Sequence, residues 1–191
     1  MGAPERIELG RGLALRRWRP ADAEAHALAI AESLDHLRPW LPWAVPAPLE
    51  ERRARLVRWE EEWDRGGDLV YGLFLGPLVV GGCGLHRRLG PGGLEIGYWV
   101  HAAHTRRGYA TSASAALTSA AFALPGITVV EIHHDRANLA SEGVPRRLGF
   151  TLVGDYAREP VAAADTGISR VWRMSSDRWA PTEGRPPAPM D

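Results

Sequence analysis

One stretch restricts this 191-residue chain more than any other: from Gly93 to Thr111 it reads GLEIGYWVHAAHTRRGYAT, and it runs on as SASAALTSAAFAL. Leu94 to Val100 is rich in β-branched and aromatic residues, with a single acid, Glu95, set among them, and reads as a strand. Ser112 to Leu124 is alanine-rich and reads as a long helix. Strand, basic glycine loop and helix, in that order, turn backbone N–H groups and the positive end of a helix toward a phosphate. Gly108 lets the backbone approach a ligand closely, and Arg106 and Arg107 add charge-assisted hydrogen bonds to phosphate oxygens. The stretch predicts a phosphate-bearing cofactor.

The rest of the chain supplies a sheet and its covering helices. Ile7 to Trp18 reads as one or two short strands around a Gly10/Gly12 turn, and Asp22 is placed to cap a helix from Ala23 to Leu34. A proline-punctuated loop, Arg38 to Pro48, carries Trp40 and Trp43, which either cover the core edge or line a substrate mouth. Leu49 to Arg65 returns to helix, with Leu49, Leu56, Trp59 and Trp63 on one stripe and charges on the solvated face. Leu69–Leu75, Leu78–His86 and Leu94–Val100 follow as strands joined by tight turns, an antiparallel meander. After the alanine-rich helix comes a strand from Ile127 to His134, so the unit from Leu94 to His134 predicts a right-handed crossover and local parallel pairing. A short helix within Ala137–Phe150 and two terminal strands complete a single domain over residues 1–180; the proline-rich residues 181–191 read as a disordered tail.

Composition narrows the function. The chain has 23 basic and 23 acidic residues, and zero net charge argues against nucleic acid or an anionic membrane surface as partner. A single cysteine, Cys83, excludes an intramolecular disulfide and a multi-cysteine metal site, and its neighbours mark it as a buried strand thiol. His101, His104, His133 and His134 lack the acid-rich company of a zinc site, so no metal is expected. No apolar run approaches the roughly 20 residues needed to span a bilayer, and the N-terminus lacks a signal-peptide core. The expectation is a soluble, cytoplasmic protein.

Three ordered motifs, TRRGYA (Thr105–Ala110), EIGYWV (Glu95–Val100) and NLASEGVPRRLGF (Asn138–Phe150), together with the opening LALRRWRPADA, resemble the GNAT superfamily of N-acetyltransferases. Within it the chain is most similar to the branch holding the ribosomal-protein N-terminal acetyltransferases of RimJ/RimL type. The acetyl-CoA loop of that family is Gln/Arg-x-x-Gly-x-Gly/Ala; Thr105 stands where Gln or Arg is usual, a minor departure in a loop that works through backbone N–H groups. The resemblance implies an α/β fold: a mixed, mostly antiparallel V-shaped sheet flanked by helices and split between two parallel strands. Pantetheine would lie in the split, here between Leu94–Val100 and Ile127–His134. It implies acetyl-CoA, or another acyl-CoA, held by Tyr98, Trp99, Val100, Thr105, Arg106, Arg107, Gly108, Tyr109, Ala110, Thr111 and Asn138. It allows a homodimer.

Acyl transfer from a thioester to an amine needs a neutral amine, stabilisation of the oxyanion and a proton for the departing thiolate. Glu95 is the candidate base, acting through water, and its alternative is a structural carboxylate bonded to backbone or to an arginine. Much of the superfamily uses as acid a tyrosine four residues before the glycine of Gly-Phe; that position here is Pro145, which has no proton to give. The branch resemblance implies instead that Ser141 faces the sulfur, the alternative being an ordinary first-turn helix serine. Asn138 bonds the pantetheine or caps the helix, and Pro145 is expected to kink or shorten that helix. At pH 7 on the order of a tenth of α-amines are neutral, against under a thousandth of lysines. One carboxylate base therefore suits the α-amine of a protein or peptide. A small-molecule acceptor (an antibiotic, polyamine or aminoacyl compound) and a non-catalytic acyl-CoA-binding module are the alternatives, and the acyl chain itself is open.

Overall fold

The computed structural model describes residues 2–180; the proposed tail lies outside the described residues. A sheet in the order β1-β2-β3-β4-β5-β6-β8-β7 organises the fold. Its first five strands, β1 (Arg6–Gly10), β2 (Leu13–Arg17), β3 (Leu69–Leu75), β4 (Leu78–His86) and β5 (Gly93–Val100), form the antiparallel meander that the tight turns predict. Helix α4 (Tyr109–Phe122) carries the chain from β5 to β6 (Val129–Asp135), which pairs with β5 in parallel. Helix α5 (Leu139–Arg147) and the hairpin of β7 (Thr151–Ala157) and β8 (Ile168–Ser175) follow, with β8 antiparallel to β6.

The feature that positions the site is a mismatch between these pairings. β5 and β6 are in register only over Gly93–Ile96 and Val129–Ile132. Beyond Ile96, β5 keeps β4 as partner out to Val100, and beyond Ile132, β6 keeps β8 out to Asp135. The two central strands therefore part, and their facing backbone edges are left open at the expected split. On one face α4 and α5 cover Leu85, Leu94, Ile96, Val130, Ile132 and Trp172. On the other, α1 (Ala23–Ala31) and α3 (Leu49–Asp64) cover Trp18, Val70, Phe74, Val79 and Trp99.

Three local expectations change. Helix α1 stops at Ala31, and a separate turn of helix, α2 (Leu34–Leu37), follows Ser33. Asp22 does not cap α1 through its side chain: both carboxylate oxygens take the Arg16 guanidinium, at 2.9 and 2.8 Å, and one also accepts the Arg19 N–H at 2.9 Å. A bidentate pair to arginine outcompetes a single backbone donor. In α3, Leu56 is fully buried while Leu49, at the first turn, is exposed. Cys83 is buried, as its neighbours predict, and burial pushes its thiol pKa up.

His26, on α1, is fully buried with neither ring nitrogen partnered, edge-on to Trp18, Trp59 and Trp99 at 5.0, 5.8 and 6.3 Å. Burial, aided by the nearby Arg52 and Arg55 charges, lowers its pKa from 6.5 to about 4. The native state therefore holds it neutral, while the unfolded chain protonates it first as pH falls. Its contribution is complete above about pH 6.5 and declines to a floor near pH 4, a loss of about 3 kcal/mol. Urea titrations at pH 7 and pH 4.5 should show that the chain loses more stability on acidification than His26→Phe does, by that order. Equal losses would mean the ring is solvated in the native state.

Candidate active site

The loop after β5 leads into a helix N-terminus whose first backbone N–H groups carry no side-chain cap. A short 3-10 turn, Ala102–His104, is tied to the end of α1: Ala102 N–H donates to Ser33 Oγ at 3.1 Å, and His101 Nε2 bonds Glu32 at 2.9 Å. Thr105 Oγ1 donates to Ala102 C=O at 3.2 Å, so it closes this turn and does not reach outward. The backbone then passes through left-handed conformations at Arg106 (φ 60) and Gly108 (φ 77). An arginine with positive φ costs about 1–2 kcal/mol, the kind of strain that surrounding structure enforces at functional sites.

Gly108 is the N-cap of α4, which starts at Tyr109, three residues earlier than the alanine-rich pattern suggests. The first helical bond runs from Ser112 N–H to Gly108 C=O, and no side chain caps the end. The N–H groups of Tyr109, Ala110 and Thr111 thus have no helical acceptor and point out of the helix end. With Arg106 and Arg107 exposed beside them, these residues fit a pyrophosphate. Arg107 reaches back to Ala103 C=O at 3.4 Å, and Tyr109 stacks on His104 at 6.4 Å.

The split lies directly upstream. Of the three β5 residues expected to meet the cofactor, Trp99 offers only backbone: its side chain is buried among Trp43, His26 and Trp18 on the α1/α3 face. Val100 is half-buried at the open edge. Tyr98 points to the opposite face, where its hydroxyl donates to the backbone carbonyl of Ser141 at 3.0 Å.

That bond answers a deficit in α5. Pro145 has no N–H to give to the carbonyl four residues back, which is Ser141, so the tyrosine supplies the missing donor. Helix α5 runs through Pro145 to Arg147 and is not shortened there. Tyr98 thereby fixes the half-buried Ser141 against the strand that borders the split. Burial pushes the Tyr98 pKa up, which keeps the hydroxyl a donor. Asn138 is the N-cap, its Oδ1 accepting Ser141 N–H at 3.1 Å.

Glu95 lies on the other face of β5, at the apex where the strands are still paired. It stands in register with Glu131, and His133 follows one step beyond the pairing. Glu95 accepts from Arg88 at 3.0 Å and has His133 Nδ1 at 3.6 Å; His133 Nε2 bonds Glu131 at 2.6 Å, and Arg173 Nε pairs with Glu131 at 2.6 Å. The two candidate catalytic residues therefore sit on opposite faces of β5, with the split as the passage between them.

The proline loop, expected to cover the core edge or line a substrate mouth, divides between its two tryptophans. Trp43 packs on Trp99 with ring centroids 6.2 Å apart and belongs to the core edge. Trp40 is half-buried and in neither core cluster, and its neighbour Pro39 accepts Ala164 N–H at 2.9 Å, which joins this loop to the β7–β8 connection. His134 is a structural residue: its Nδ1–H donates to Asp135 C=O at 2.8 Å and its Nε2 accepts the Trp172 indole at 3.0 Å.

A row of glycines borders the site on the Glu95 face. Gly82 and Gly84 on β4 and Gly97 on β5 leave the Glu95 face of the central strands without side chains, and neighbours fold over them. A methyl group added at Gly84 would lie 3.0 Å from His86 Nε2, and one at Gly97 3.3 Å from it. Glycines inside a strand pattern signal such close approach, and VVGGCGLH carries that signal. His86 is also held by Asp68, its Nδ1 2.6 Å from the carboxylate.

Comparison with known proteins gives a consistent picture. The acetyltransferase (GNAT) domain model matches residues 12–151. No curated protein matches the chain. Among solved structures, RimL, a ribosomal alpha-N-protein acetyltransferase in complex with coenzyme A, is 22% identical with TM-score 0.82, covering 90% of this chain and 98% of its own. The microcin C7 self-immunity acetyltransferase MccE, in complex with acetyl-CoA and AMP, is 17% identical with TM-score 0.83, covering 90% and 97%. Mycobacterium smegmatis RimJ, in complex with CoA-disulfide, is 22% identical with TM-score 0.76, covering 86% and 82%. At these identities the structural likeness carries the fold.

Proposed function

The chain belongs to the GNAT acetyltransferase family, and on that premise we propose that it transfers the acetyl group of acetyl-CoA to a primary amine, the α-amine of a protein or peptide N-terminus. The observation that carries this reading is the joining of three things in one place: the uncapped N-terminus of α4, the parting of β5 from β6, and Ser141 tied to β5 at the edge of that parting.

Acetyl-CoA supplies an activated thioester as substrate. In this reading the N–H groups of Tyr109, Ala110 and Thr111, with Gly108, Arg106 and Arg107, hold its pyrophosphate. The open edge of β5 from Tyr98 to Val100 takes the pantetheine in strand-like fashion. Ser141 gives the proton to the departing sulfur, and Asn138 orders the turn that presents it. Glu95, ion-paired to Arg88, is the carboxylate of the acceptor face and draws the amine proton off through water. Trp40 borders the acceptor mouth. RimL is an alpha-N-protein acetyltransferase of this fold, and the larger neutral fraction of an α-amine at pH 7 favours the same acceptor class.

Among the described residues no helix is long and apolar enough to cross a membrane. A cytoplasmic setting, with its acetyl-CoA pool and nascent N-termini, belongs to this proposal. So does a homodimer, for which the edge strand β7 exposes Leu152, Val153 and Tyr156. The test is a peptide bearing both a free α-amine and a lysine, incubated with the protein and acetyl-CoA and mapped by fragmentation mass spectrometry. Acetyl on the α-amine alone is expected; acetyl on lysine alone would refute the acceptor assignment.

A further inference from the structure

We propose that His86, oriented by Asp68, is the first acceptor of the proton that the amine must lose. Asp68 precedes β3 and His86 ends β4; the β3–β4 hairpin brings them together with Nδ1 2.6 Å from Asp68 Oδ2. A second oxygen of Asp68 accepts the Arg87 N–H at 2.8 Å, which fixes the carboxylate. Burial raises the Asp68 pKa, but that N–H and His86 outweigh it, so the carboxyl is held below the usual range and stays ionised. An ionised partner puts the proton of the neutral ring on Nδ1 and leaves the lone pair on Nε2.

Among the described residues the hydrogen bond of the His86 ring is made through Nδ1, to Asp68, and none is made through Nε2. This second nitrogen lies over Gly84 and Gly97, and Gly97 is the first residue of β5 beyond the last pair with β6, Ile96 and Ile132. Nε2 thus lies beside the start of the split, on the face opposite Ser141. Glu95 is the direct register partner of His86 across β4 and β5, but its oxygens are engaged by Arg88 at 3.0 Å and approached by His133 at 3.6 Å. The charged groups around His86 are Asp68 before β3, Arg88 in the β4–β5 turn, Glu95 on β5, and Glu131 and His133 on β6. Asp68 is the positioning residue. Glu95 receives the proton onward through water.

The inference rests on the acyl-transfer reading. In that reaction an ammonium group loses one proton to His86 Nε2 and becomes a neutral amine. The amine nitrogen forms a bond to the thioester carbonyl carbon, and the C–S bond breaks. The nitrogen sheds a second proton, which passes through water to Ser141 and replaces the one that Ser141 gives to the departing sulfur. The proton on His86 passes through water to Glu95 and from there to solvent, and the ring returns to its starting state.

The experiment measures pH profiles of kcat/KM, with acetyl-CoA and a free-N-terminus peptide, for the unchanged chain, His86→Ala and Asp68→Asn. His86→Ala should lose on the order of a hundredfold or more in kcat, keep its acetyl-CoA affinity, and recover activity with added imidazole. Asp68→Asn removes the negative charge beside the ring, so the acidic limb of the profile should move to lower pH. Unchanged kcat in His86→Ala, a loss that imidazole does not restore, or an unmoved limb in Asp68→Asn would overturn the role of His86 while leaving acyl transfer standing. No turnover by the unchanged chain with any amine would overturn the acyl-transfer reading, and this inference with it.

Discussion

Arg107→Glu should weaken acetyl-CoA binding by well over tenfold and leave thermal stability nearly unchanged. Arg107 is exposed, and its one hydrogen bond is a long one, 3.4 Å to Ala103 C=O, so little of the fold depends on it. Its value is electrostatic: it lies beside the unsatisfied N–H groups of the first turn of α4, where the helix end itself adds about 0.3–2 kcal/mol of preference for an anion. Reversing the charge removes a donor to the pyrophosphate and sets a carboxylate against it, and each 1.4 kcal/mol lost is tenfold in affinity. Calorimetric titration with acetyl-CoA is the check. Equal affinity would show that the loop is not the cradle.

Much of that loop is legible in the chain. TRRGYA names its residues, and the strand before it and the alanine-rich run after it announce the two elements it joins. The start of α4 is less legible, because Tyr109 and Thr111 are weak helix formers and Ala110 stands alone between them. What places them in the helix is Gly108, whose positive φ lets the chain turn directly into the first helical residue. The meander strands are legible from their apolar runs and tight turns. The end of β5–β6 pairing at Ile96 and Ile132 is not, because it is set by which neighbour, β4 or β8, each strand follows, a long-range property absent from any local pattern.

Side-chain partnerships show the same division. The missing proton donor at Pro145 is visible in the sequence, whereas its remedy, the Tyr98 hydroxyl on Ser141 C=O, joins residues 43 apart and appears only once the strand lies beside the helix. Asp22 carries a cap signature, but folding puts Arg16 in reach and the ion pair takes the carboxylate. Glu95, an acid in an apolar strand, proves to be paired with Arg88, a bond the sequence reading holds open as its alternative. Asp68 and His86 are 18 residues apart with no motif to link them; only the glycines beneath His86 mark the spot.

The second large effect is expected at Ser141. Ser141→Ala should leave acetyl-CoA affinity within about twofold and lower kcat on the order of a hundredfold, the lower end of what a positioned general acid contributes. The backbone arrangement should survive, because both bonds that fix this residue, N–H to Asn138 Oδ1 and C=O from Tyr98, belong to the main chain. A drop in kcat and kcat/KM by the same factor is the signature of a group that acts only in the transition state. Unchanged turnover would remove Ser141 from the mechanism and leave it as an ordinary residue of the first turn of α5.

The most direct measurement of the whole account is thiol release from acetyl-CoA in the presence of three acceptor sets: peptides with free N-termini, the same peptides with blocked N-termini and free lysines, and small amines. The account predicts saturable release of coenzyme A with the first set, and little with the second and third. Release with small amines alone would contradict the N-terminal acceptor, and tight acetyl-CoA binding without release in any set would contradict catalysis itself.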